Sequence, residues 1–146
     1  MSGNQVRSLA PGEAWQLLQD DPKATMIDVR SSMEFLFVGH PTGAVLVAWI
    51  DEPEWDINPN FVTEVHRAVL NNSKAVEYPT EAILQNPVLL ICRSGVRSLD
   101  AGKVLCEASF TQVYNVLEGF EGPLDAEHHR GTLGGWRYHG LPWEQC

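Results

Sequence analysis

The segment Pro87-Val88-Leu89-Leu90-Ile91 breaks off abruptly into Cys92-Arg93-Ser94-Gly95-Val96-Arg97-Ser98. A short, continuous aliphatic run bounded by proline reads as a strand buried on both faces, and such strands belong to parallel sheets. The polar loop runs into a segment with two stripes. Asp100, Lys103 and Glu107 fall on one face, and Leu99, Ala101, Leu105 and Cys106 on the other. That periodicity is helical. A buried strand, a tight loop and a helix in immediate succession form one unit of a strand–helix alternation.

The rest of the chain repeats the alternation. Ala10-Pro11-Gly12-Glu13 opens a helix, with proline at its first position and an acid in its first turn. Ala14, Leu17 and Leu18 form its apolar face, and Asp21-Pro22 ends it. Thr25 to Val29 reads as a buried strand closed by Arg30-Ser31-Ser32, and Ala44 to Ile50 as a second strand covered on both faces. Asn58-Pro59 starts a helix whose stripe is Phe61, Val62, Val65, Ala68 and Val69, ending near Asn71-Asn72. Lys74 to Gln85 is ambiguous, since Pro79 forbids one continuous helix. Gln112 to Val116 is a last short strand. Alternation of this kind predicts a central parallel sheet of about five strands with helices on both faces, a three-layer α/β fold. At 146 residues the chain fits one domain. Its core is expected over about 9–120, with 121–146 wrapping it as a closing segment that buries Trp136, Tyr138, Leu141 and Trp143.

Charge and cysteine usage narrow the functional classes. Ten Lys+Arg against 19 Asp+Glu give a net charge of −9, which repels phosphate backbones and anionic lipid, so neither nucleic acid nor membrane is an expected partner. No apolar run approaches the ~20 residues of a membrane span, and Met1 to Arg7 lacks the form of a signal peptide. The expectation is a cytoplasmic protein with free thiols. Three cysteines without a CxxC pair make neither a disulfide framework nor a structural zinc site. No metal is expected: His128 and His129 are adjacent and diverge, and no acid–His spacing matches a zinc motif. Asp51-Glu52-Pro53-Glu54 reads as a solvated acidic turn.

Cys92 is the candidate for chemistry. It stands at the carboxyl end of a strand, where ligands of open α/β sheets bind. Amides of a tight loop together with a helix N-terminus cradle an anion, and the same cradle favours a thiolate. An unassisted thiol, with pKa ~8.5, is only about 3% ionised at pH 7. Gly95 lets the backbone curl round the sulfur, and Ser94 or Ser98 is suited to cap the helix. The alternative, a small apolar residue ending a core strand, fits poorly beside Arg93 and Arg97. Cys106, on the apolar stripe, is expected in the core, and Cys146 on a mobile terminus.

These segments together resemble the rhodanese family. Asp28-Val29-Arg30 with Glu34, then Gly39-His40-Pro41-Thr42-Gly43-Ala44, is similar to its first signature, and Cys92 to Ser98 to its active-site loop. Asn115-Val116-Leu117-Glu118-Gly119-Phe120 and Gly134-Gly135-Trp136 through Gly140-Leu141-Pro142-Trp143 resemble its later strand and ending. The resemblance runs from about Leu9 to Pro142. It implies sulfur transfer through a persulfide on Cys92, from thiosulfate or a similar small anionic donor, or a protein persulfide, to cyanide or a thiol. Arg93 and Arg97 would draw in the donor, amides of Ser94, Gly95, Val96, Arg97 and Ser98 would hold the sulfur, and no cofactor would be needed. Asp28 and Arg30 would support the strand end by hydrogen bonds and an ion pair, with Glu34 as a candidate partner for Arg30. Glu118 stands where many relatives have glycine and, distant from the thiol in sequence, is expected to matter little. Asp51–Ile57 and 74–85 exceed the minimal domain and are candidates for shaping the acceptor side. Two other readings remain. One is a cysteine phosphatase or arsenate reductase, whose Cys-x5-Arg loop is one residue longer than the stretch from Cys92 to Arg97. The other is a silent binding module.

Overall fold

The computed structural model describes residues 5–73 and 80–146. Its elements are β1 (Arg7–Leu9), α1 (Pro11–Asp20), β2 (Thr25–Asp28), a π-helical turn (Glu34–Val38), β3 (His40–Pro41), β4 (Val45–Leu46), α2 (Phe61–Ser73), α3 (Thr80–Ile83), β5 (Val88–Ile91), α4 (Arg97–Glu107), β6 (Val113–Val116) and β7 (Trp143–Glu144). Five strands form one sheet in the order β1-β6-β5-β2-β4, with every neighbouring pair parallel. This is the expected parallel sheet, and β5, the strand that leads to Cys92, is its centre. A separate antiparallel pair joins β3 to β7.

Side-chain alternation divides the core into two layers. Ile27, Val29, Val88 and Leu90 face Phe61, Val65 and Val69 of α2 and Ala101 and Leu105 of α4. Met26, Leu89, Ile91 and Val116 face the opposite way, against Ala14 of α1, Phe120 and Trp136. All four residues of β2 and of β5 are buried, as strands covered on both faces must be. Cys106 sits in the first layer, 5% exposed, and burial together with Glu107 pushes its thiol upward.

Several local expectations need correcting. Ala44 to Ile50 is not a strand covered on both faces. Only Val45–Leu46 pairs with β2, at the sheet edge, and Val45 is 39% exposed. Beyond it the backbone still follows β2, through Val47 N–H to Asp28 O and Trp49 N–H to Val29 O, both 3.0 Å. Val47 and Trp49 alternate into the core, which accounts for the apolar run. The edge strand β1 was not apparent because Arg7 and Ser8 are exposed and leave no apolar pattern. Leu99 leaves its stripe and is 37% exposed, Tyr138 52% and Trp143 41%, so the closing segment buries Trp136 rather than its whole aromatic set. Cys146 is held rather than loose, its N–H donating to Leu36 O at 3.0 Å. Pro79 and half of the 74–85 connection, residues 74–79, lie outside the described residues. Among described residues no helix is long and apolar enough to cross a membrane.

Candidate active site

β5 delivers Cys92 to the carboxyl edge of the sheet, where the residue is 1% exposed. The loop that follows is short because α4 begins at Arg97. Gly95, at φ +96°, turns its N–H back onto the Cys92 sulfur at 3.1 Å. Ser98, on the first turn of α4, places its hydroxyl 3.3 Å from the same sulfur. Among described residues these are the two groups bonded to Sγ. Ser94 is half-buried and Val96 is 66% exposed.

Neither serine caps α4. Val96 occupies the cap position without a side-chain hydrogen bond, because the Ser98 hydroxyl is turned inward and donates to Asn115 Oδ1. Asn115 also donates from Nδ2 to Gly95 O at 3.2 Å. One buried side chain at the end of β6 thus fixes both sulfur partners. The sequence signal for it was a lone amide in a buried strand, since a buried polar group needs partners.

The turn after β6 closes the loop from the other side. Phe120 N–H donates to Cys92 O at 2.8 Å, and Glu121 N–H to Arg93 O at 2.9 Å. Gly119, at φ +66°, lies so close that a Cβ would stand 2.5 Å from Cys92 O. Glu118 is therefore not remote. Its N–H lies 3.2 Å from the point a Gly95 Cβ would occupy, and its Oε1 accepts from Gly135 N–H and pairs with His139 Nε2, both at 2.9 Å. Burial opposes its ionisation, but these two partners hold the carboxyl below its ordinary range.

Asp28 and Arg30 pair with each other, fully buried, through Arg30 Nε to Oδ1 at 2.9 Å and Nη2 to Oδ2 at 2.6 Å. Arg30 stacks 4.6 Å from the Phe120 ring centroid, and its Nη2 reaches Gly39 O. The expected Arg30–Glu34 pairing is thus replaced. Glu34 instead takes Arg97 in a two-point pair, Nη1 to Oε1 at 3.1 Å and Nη2 to Oε2 at 3.0 Å. Ser31 and Glu34 bond reciprocally: Ser31 N–H donates to Oε1 at 3.2 Å and Glu34 N–H to Ser31 Oγ at 3.3 Å. That Ser-x-x-Glu capping box was the sequence signal for Glu34's placement. Burial lowers the affinity of Arg97 for its proton, but Glu34, with the nearby Cys92 and Asp28, outweighs it and holds the guanidinium charged. Arg93 is exposed.

The Asp51–Ile57 connection lines an open cavity of about 710 Å³ with β4 and α2. No residue of the Cys92 loop lines it. Asp51 still touches the site's margin, accepting from Ser32 N–H at 3.1 Å.

Comparison with known proteins agrees with this fold. The crystal structure of Rv0390 from M. tuberculosis superposes with TM-score 0.80 at 40% identity, over 98% of this chain and 100% of that one. The solution structure of the polysulfide-sulfur transferase homodimer from Wolinella succinogenes shares the fold, with TM-score 0.59 at 23% identity over 97% of this chain and 80% of its own. In sequence, thiosulfate sulfurtransferase GlpE of Haemophilus influenzae is 25% identical over 121 residues, 83% of this chain and 90% of its own. The family model of the rhodanese-like domain matches residues 10–125, and the chain belongs to that family.

Proposed function

We propose that the protein is a sulfurtransferase that takes a sulfane sulfur from thiosulfate or a similar donor, holds it as a persulfide on Cys92, and passes it to cyanide or a thiol. The observation that carries this reading is the buried Cys92 sulfur at the end of the central strand, with the Gly95 amide 3.1 Å away and the Ser98 hydroxyl at 3.3 Å. The Gly95 amide is placed to donate to the sulfur carried on Cys92. The Cys92 thiolate attacks the outer sulfur of thiosulfate, the S–S bond to the sulfonate breaks, and sulfite leaves with the electron pair. The acceptor then attacks the terminal sulfur, and Cys92 leaves as thiolate. Covalent sulfur carries the chemistry, so the reading calls for no cofactor. A persulfide on another protein would use the same loop. The relative named thiosulfate sulfurtransferase supports the reaction class, and the stretch from Cys92 to Arg97 is shorter than a phosphatase loop by one residue.

The test is thiocyanate production from thiosulfate and cyanide. Wild-type protein is expected to turn over and Cys92→Ser to release none. Folded wild-type protein that forms no thiocyanate with several sulfane donors would contradict the proposal.

A further inference from the structure

The arginines around the thiol differ in electrical state. Arg97 is matched by Glu34 at two points, with the two side chains only 29% and 22% exposed, so solvent and salt screen the pair incompletely. Glu34 is itself fixed by the Ser31 hydroxyl at 3.1 Å and amide at 3.2 Å. Arg30 is matched by buried Asp28. Arg93, exposed and without an ion pair among the described residues, is the one uncompensated arginine of the loop. Thiosulfate carries two negative charges and meets this site on a chain of net charge −9.

We infer that Glu34 is a specificity-determining residue: by neutralising Arg97 it sets the site for a sulfane-sulfur donor of single negative charge, a persulfide or thiosulfonate anion, over doubly charged thiosulfate. The inference rests on the sulfurtransferase reading and adds the charge class of the donor. Methanethiosulfonate is the matched probe, since it replaces one charged oxygen of thiosulfate by a methyl group. The Cys92 thiolate attacks its outer sulfur, the S–S bond breaks, and methanesulfinate leaves with the electron pair. Two negative charges stand on each side, and no external oxidant or reductant is needed.

The experiment compares kcat/KM for thiosulfate and methanethiosulfonate, with cyanide as acceptor, in wild type and Glu34→Gln. The glutamine keeps the shape and removes the charge. The thiosulfate-to-methanethiosulfonate ratio is expected to rise on the order of tenfold, chiefly through a lower KM for thiosulfate. A residue that only orders the loop would change both donors together, and an unchanged ratio overturns the inference. A second measurement needs no variant. As inert inhibitors of the wild type, methanesulfonate is expected to compete more strongly than sulfate, and the reverse order overturns the inference. Sulfur transfer with an unchanged ratio defeats the Glu34 assignment alone. Absence of sulfur on Cys92 from either donor defeats the sulfurtransferase reading with it.

Discussion

The Phe120 amide donates to the Cys92 carbonyl at 2.8 Å, and the Phe120 ring is stacked by the Arg30 guanidinium, 4.6 Å from its centroid. The strand end that carries the thiol is therefore gripped by the turn after β6. That turn in turn rests on the buried Asp28–Arg30 pair. Support reaches the loop from two sides without touching the sulfur.

Gly119→Ala tests the grip. A Cβ at φ +66° would meet Cys92 O at 2.5 Å, and neither backbone can retreat without breaking the Phe120 bond. A loss of about 1–3 kcal/mol in urea unfolding is expected, together with a fall in sulfur transfer measured at a temperature where the variant is folded.

Asp28→Ala leaves the Arg30 guanidinium, 0% exposed, without its carboxylate. Breaking a buried pair from one side costs about 3–5 kcal/mol. Replacing both residues by apolar ones of similar size is expected to cost clearly less than the sum of the single losses. Urea midpoints of the two single variants and the double variant measure this.

Ser98→Ala removes a hydroxyl that contacts the sulfur and leaves Asn115 Oδ1 without its donor. An unpaired buried acceptor costs about 1–3 kcal/mol, and with Asn115 no longer held in place single-turnover sulfur uptake is expected to slow about tenfold. Asn115→Leu, which releases both Ser98 and the Gly95 carbonyl, is expected to slow uptake further, because Asn115 positions both groups that touch the sulfur.

Glu34 predicts an acid limb. Burial opposes its ionisation, but the Arg97 hydrogen bonds and charge, with the Ser31 amide and hydroxyl, hold its carboxyl below the ordinary 4.5. The folded value is the lower one, so on acidification the unfolded chain takes the proton first. Ionised Glu34 thus stabilises the fold above 4.5, and that contribution drains away as the pH falls through the depressed folded value. Thermal midpoints of wild type and Glu34→Gln are expected to converge on acidification below pH 4.5 relative to their separation at pH 7. A constant separation across that range contradicts the assignment.

What the sequence disclosed follows from how local the information is. Val88 to Ser98 is contiguous, and strand, loop and helix start are each short-range patterns, so the position of Cys92 was legible. Glu34 and Asn115 reach the site from other elements, and only the β6-β5-β2 strand order makes them neighbours of α4 and the loop. Pairing Arg30 with Glu34 was reasonable by proximity in sequence. Asp28 won because it lies two residues from Arg30 at the end of a buried strand, where both its oxygens face the guanidinium. The run from Ala44 to Ile50 misled because an edge strand with two core-facing residues resembles a buried one. Glu118 packs beneath the loop although far from it in sequence, because distance in sequence says nothing of which turn packs beneath a loop.

The most direct measurement is the intact mass of the protein after incubation with a sulfane-sulfur donor and removal of the excess. The account predicts a gain of one sulfur atom in the wild type, discharged by cyanide as thiocyanate. Cys92→Ser, which keeps Cys106 and Cys146, is predicted to show no gain. A wild type that gains no sulfur from thiosulfate, methanethiosulfonate or a persulfide, or a Cys92→Ser variant that gains it as the wild type does, would contradict Cys92 as the carrier.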